Sequence, residues 1–173
     1  MTVKNVFRKL DLRELIVLGM LVAISMILQK ISFGTDITKV GMGFIATVML
    51  GKYYGPFWGG IGAGVADFVS AALFGVSGGF FPGFTLSAIA ASVIYGLFFY
   101  EQKPAIWKVI VAVLLVTVIV NVFLNTYWIT LMYKLNFNGA LLQRIPKELI
   151  VPWIQMVITW IVLKATERVK IKS

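Results

Sequence analysis

Six apolar blocks, most of them about the ~20 residues a helix needs to cross a ~30 Å hydrocarbon core, constrain this chain more than any single motif. They span residues 12–31, 39–54, 57–75, 82–100, 105–133 and 140–166, and SFGTDIT, Gly55-Pro56, VSGGFF, EQKP and KLNFNG separate them. The second block is the shortest and is rich in glycine. Sixty per cent of the 173 residues are hydrophobic, against about half in soluble domains, so too little polar surface remains to cover a globule in water. The pattern predicts an all-α membrane protein: one integral domain over 1–173 with six transmembrane helices.

Charge then gives an orientation. The net charge is +9, and cytoplasmic flanks of membrane helices account for it better than nucleic acid does. One set of cations comprises Lys4, Arg8, Lys9, Arg13, Lys52, Lys103, Lys108, Lys164, Arg168, Lys170 and Lys172. The smaller set is Lys30, Lys39, Lys134, Arg144 and Lys147. Placing the larger set inside puts both termini in the cytoplasm. The basic start, MTVKNVFRKLDLRE, has no small-residue cleavage site and reads as a flank of the first helix rather than a removed signal.

The chain has no cysteine and no histidine, which removes thiolate and imidazole chemistry and the common zinc, haem and iron–sulfur sites. The phosphate-binding pattern GxxxxGK[ST] is also absent, so this chain does not hydrolyse ATP by that route. The expectation is no enzyme and no cofactor. Asp67 is the only acid well inside a block; it either pairs structurally or faces a wet cavity. A coupled carrier ordinarily carries more intramembrane polar machinery, or a repeated half, and no repeat is evident.

Several polar residues cluster toward the outer side. Asn121, Asn125 and Trp128 follow i, i+4, i+7 spacing and share one face of an α-helix. That face either bonds a neighbouring helix or walls a polar pocket, where two amides and an indole suit a flat heterocycle. In LLQRIPKELIVPWIQ, residues 141–155, Arg144 and Lys147 flank Pro146. Proline favours the first turn of a helix, so the two cations are expected at a helix N-terminus. They hold an anion there, pair with Glu148, or snorkel to lipid phosphates. Pro152 further predicts irregular backbone beside a cavity, with Trp153 and Gln155 facing it. Small residues four apart, Gly59/Ala63, Gly60/Gly64 and Gly62/Ala66, predict close internal packing. Gly19 and Ala23 in the first block serve either packing or docking of another membrane protein.

The run YYGPFWGGIGAGVADFVSAALFGVSGGFFPGFTLSAIAASVIYGLFF, residues 53–99, resembles the substrate-binding S-components of energy-coupling factor (ECF) transporters. The pattern Gly60-x-x-x-Gly64-x-x-Asp67 and the block PGFTLS at 82–87 carry the likeness. Asn125, Thr126 and Trp128, with Arg144 to Lys147, resemble the folate-specific subgroup. The resemblance implies an S-component-like bundle in a prokaryotic plasma membrane that binds a vitamin near the outer face. It implies reorientation in the membrane with a coupling subunit and two ABC ATPases as partners. It also implies docking through a small-residue stripe on the first helix, here Gly19-x-x-x-Ala23, with glycine at the first position where the family has alanine. Under this reading Arg144 and Lys147 hold the carboxylates of folate, and Asn121, Asn125 and Trp128 face its pterin. Phe80, Phe81 and Phe84 add aromatic walls, and Asp36 and Lys39 belong to a lid. Competing readings are a binder of another vitamin such as riboflavin, a self-sufficient transporter, and a lipid-acting membrane enzyme.

Overall fold

The computed structural model describes residues 9–33, 40–75 and 79–166. Helix α1, Leu12–Lys30, begins with a capping box: Asp11 accepts from the Leu12 amide, and Glu14 Oε2 accepts from the Asp11 amide at 3.2 Å. These reciprocal bonds satisfy amides that a helix start leaves unpaired. Leu18 and Leu21 pack inward, whereas Leu12, Ile16, Met20 and Ile27 are exposed on the opposite face. Two short strands follow, β1 (Ser32–Phe33) and β2 (Val40–Gly41), paired antiparallel with Ser32 opposite Gly41.

Helix α2 runs Gly43–Phe74 but is broken at Gly55, whose φ of 74° and ψ of −173° are open essentially to glycine alone. Pro56 restarts the helix. A Cβ added to Gly59 would lie 2.7 Å from the Leu50 carbonyl oxygen. In a straight helix nine residues rise about 13.5 Å, so the chain folds back on itself at Gly55. The first leg, 43–54, is thus only about 18 Å long. The expected close packing of small residues is present. Gly60 and Gly64 admit Ile89 of the next helix, and Gly62 admits Leu18 and Leu50.

Helix α3, Pro82–Phe99, has proline in its first turn. It meets α2 along a seam in which a Cβ on Gly51 would strike the Gly96 amide and one on Gly96 would strike Pro56. The next rod changes form along its length: α4 (Ile106–Leu115), a π-helical stretch (Val116–Asn125), then α5 (Thr126–Tyr133). Helix α6, Phe137–Ala165, starts at Asn136, whose side chain accepts from the Asn138 amide.

Two expectations about α6 are corrected here. Arg144 and Lys147 do not flank a helix N-terminus, because the helix begins about two turns earlier. Pro152 does not make the backbone irregular, since the helix continues through it as it does through Pro146, although proline removes one ladder bond each time. The irregular backbone lies across the cavity, in the π-helical stretch.

Among the described residues, five helical rods are long and apolar enough to cross a membrane: Leu12–Lys30, Gly43–Phe74, Pro82–Phe99, Ile106–Tyr133 and Phe137–Ala165. Tyr95, Phe99, Val109, Val113, Val116, Met156 and Leu163 form one core cluster, and Leu18, Leu21, Leu50, Tyr54 and Ala63 another. One end of the bundle is laced shut. Lys52 Nζ donates to the Leu163 carbonyl and Thr166 Oγ1 at 2.9 Å each, and the Tyr54 hydroxyl donates to the Glu14 carbonyl at 2.7 Å. The opposite end holds the mouth of a cavity.

Candidate functional site

The cavity measures about 770 Å³, within the usual range for small-molecule sites. At its rim Lys30 Nζ donates to the Gly75 carbonyl at 3.0 Å and lies 5.2 Å from the centre of the Phe74 ring. This bond ties the end of α1 to the end of α2.

Below the rim, Phe80, Phe81 and Phe84 line an aromatic wall. Phe81 meets Phe84 edge-on at 6.2 Å, a favoured quadrupole geometry. Trp128 stands behind this wall rather than in it. Its ring is 5.7 Å from Phe81, its Nε1 donates to Ser87 Oγ at 3.1 Å, and it does not line the cavity. The π-helical stretch supplies the reason: its wider i→i+5 turn rotates later residues away from the face that α-helical spacing predicts. Gly83 makes room for the indole, because a Cβ there would strike the Trp128 and Phe81 rings.

Asp67, from the second leg of α2, lines the cavity and accepts a 2.7 Å hydrogen bond from Thr85 Oγ1 of α3. One carboxylate oxygen is thereby held in place. Ser70 lines the same wall.

The cationic wall comes from α6 and the π-helical stretch. Arg144 Nη2 donates to the Asn121 carbonyl at 3.3 Å and to Glu148 Oε1 at 3.2 Å. Lys147 Nζ contacts the same Glu148 oxygen at 3.2 Å. Arg144 is only 3% exposed, so it is a buried cavity residue and not one that snorkels to lipid. The Asn121 carbonyl also accepts from Thr126 Oγ1 at 3.3 Å, five residues on, the reach of a π turn. The irregular helix thus offers a main-chain acceptor that anchors the guanidinium. Asn125 Nδ2 donates to Asn121 Oδ1 at 3.2 Å, and both amides line the cavity. Val120, Tyr95 and Gln155 form its deeper part. Asn125 Oδ1, Gln155 Oε1 and the Tyr95 hydroxyl are buried with no hydrogen-bond partner among the described residues, which marks them as polar groups able to meet a ligand or water.

The structure therefore brings Asp67, Phe81, Asn121, Asn125, Arg144, Lys147 and Gln155 to one cavity. It leaves out Trp128, and also Trp153, which is 67% exposed on the outer face of α6. Lys39 and Asp36 lie outside the described residues. Gly19 and Ala23 sit on the exposed face of α1, and a Cβ on Gly19 would meet nothing within 4 Å. Sequence reasoning missed Ser70, Thr85 and Tyr95 as site residues. Thr85 alone carried a signal, standing inside PGFTLS three residues after the proline that starts α3.

A family model described as "ECF transporter, substrate-specific component" matches residues 13–165. The chain belongs to that family. It is 36% identical over 164 residues to the folate transporter FolT of Leuconostoc mesenteroides, covering 91% of this chain and 88% of that one. It is 35% identical over 143 residues to the folate transporter FolT of Clostridium novyi, with 83% of each chain covered. A crystal structure of FolT bound with folic acid superposes with a TM-score of 0.85 at 35% identity, over 91% of this chain and 96% of that one.

Proposed function

We propose that this protein is the folate-binding subunit of an ECF vitamin importer in a prokaryotic plasma membrane. The observation that carries the reading is one cavity with two unlike poles in a chain similar throughout to folate transporters. Asp67 accepts hydrogen bonds, as the amino edge of a pterin requires; Arg144 and Lys147 attract carboxylates, as the glutamate tail supplies. Phe80, Phe81 and Phe84 suit the flat rings between. Asn121 and Asn125 adjoin the cationic pole, and Gln155 adds a polar group deeper in. A neutral vitamin such as riboflavin would leave one of the two buried positive charges unbalanced, since Glu148 is a single anion shared by Arg144 and Lys147.

Counting the two legs of α2 separately gives six passes, with both termini on one side. Lys52 at the laced end belongs to the larger set of cations, and Lys30 at the mouth to the smaller. The positive-inside rule then turns the laced end to the cytoplasm and the mouth outward. Transport is energised by partners, a transmembrane coupling subunit and two ABC ATPases. The exposed stripe of α1 with Gly19 and Ala23 is the docking face. Reconstitution tests this: folate should accumulate in liposomes holding this subunit, the coupling subunit and both ATPases with ATP. Equal accumulation by this chain alone would refute the division of labour.

A further inference from the structure

Glu148 stands behind the cationic wall. It occupies the same stretch of α6 as Arg144 and Lys147 but, unlike them, does not line the cavity. Its Oε1 is shared by Arg144 Nη2 and Lys147 Nζ, each at 3.2 Å. The three side chains are 3%, 13% and 7% exposed for Arg144, Lys147 and Glu148. The pairing is incomplete. Glu148 Oε2 and Arg144 Nε are both buried with no partner among the described residues, so arginine and carboxylate do not form the two-bond fork open to them. Two cations and one anion leave a single positive charge on the wall. Among the described residues, the other carboxylate at the cavity is Asp67, on α2 and bonded to Thr85, and the other cation there is Lys30 at the rim.

At this depth charge count matters, because an unbalanced buried charge is costly. One ligand carboxylate neutralises the wall. A second would enter a wall already neutral and lose its hydration for no matching charge. We propose that Glu148 is a positioning residue that sets the charge capacity of the site: the Arg144–Lys147 wall takes one carboxylate of a dicarboxylate ligand, and the other stays toward the mouth. This rests on the folate reading above and adds to it which ligand charge is held and what limits it.

The test compares three ligands on purified protein: folate and its two monoamides, each lacking one tail carboxylate charge. In the wild type, one monoamide should bind roughly tenfold or more weaker, the loss of a charged hydrogen bond, and the other about as well as folate. In Glu148→Gln, with two uncompensated cations, both monoamides should bind roughly tenfold or more weaker than folate. In Lys147→Met/Glu148→Gln the wall again carries one positive charge; affinity for all three ligands falls with the loss of Lys147, but the difference between the two monoamides should return. If Glu148→Gln does not fold, the double variant decides: wild-type selectivity without Glu148 supports the charge count, and its loss overturns it. Glu148→Gln keeping the wild-type pattern overturns the proposal, as does an equal weakening of all three ligands, which would make Glu148 a mere support for its neighbours. Two equally affected monoamides in the wild type also overturn it. No binding of any folate by folded wild type would instead sink the folate reading itself.

Discussion

At the scale of the residue, the site works by holding charged groups where water would otherwise hold them. Thr85 fixes one oxygen of Asp67, leaving the carboxylate aimed but able to accept further donors. Asp67→Asn keeps the size and replaces half of the acceptor capacity with a donor. It should weaken folate by about 1.5–3 kcal/mol, read by calorimetric titration; an unchanged affinity would return Asp67 to a purely structural role. Trp153 gives the opposite expectation. It faces outward on α6, so Trp153→Leu should leave affinity within about 0.5 kcal/mol of wild type. Residue identities stand out where the chemistry is scarce: an acid well inside the third apolar block and a pair of cations near a proline are visible in the sequence, and Asp67, Arg144 and Lys147 line one cavity. Tyr95 was invisible in the same terms, because a tyrosine within SAIAASVIYG reads as any aromatic of a buried helix.

At the scale of the element, the main chain departs from regularity in two places, and both serve the cavity. The reversal at Gly55 lets α2 supply a short leg beside α3 and a long leg that carries Asp67. Gly55→Ala should cost about 1–3 kcal/mol, the price of a non-glycine residue in that backbone region, seen as a lower Tm in detergent. A variant as stable as wild type would contradict the geometry at the turn. The π-helical stretch carries Asn121 and Asn125 and presents a carbonyl to Arg144. Gly55-Pro56 announced its break in the sequence, since the pair marks a turn wherever it occurs. The π-helix did not, because VTVIVNVFLN has the composition of any apolar span, and the wider turn is fixed by what its neighbours bond to it. For this reason Trp128 bonds the neighbouring helix, the first of the two roles its spacing allowed, and does not wall the pocket; α6 was read as irregular because Pro152 is visible in the sequence and the continuity of the helix through it is not.

At the scale of the molecule, the bundle is closed at one end by Lys52, Tyr54 and their partners and open at the other under Lys30. The proposed orientation is testable because the chain has no cysteine. An introduced Lys134→Cys should react with a membrane-impermeant maleimide on intact cells, and Lys103→Cys only after permeabilisation; the reverse pattern would invert the topology. The all-helical membrane class was legible because membrane thickness imposes it directly; the six separate spans expected from the apolar blocks stand against five long apolar helices among the described residues, since the second and third blocks run through one broken helix. The shared cavity was not legible, since it depends on which helices meet. The central claim is that this cavity holds folate through its cationic wall. Its most direct test is a calorimetric titration of folate into the purified protein beside an Arg144→Ala variant. The account predicts saturable one-to-one binding that the variant weakens by about 1.5–3 kcal/mol. Folded protein that binds no folate, or binds it equally well without Arg144, would contradict it.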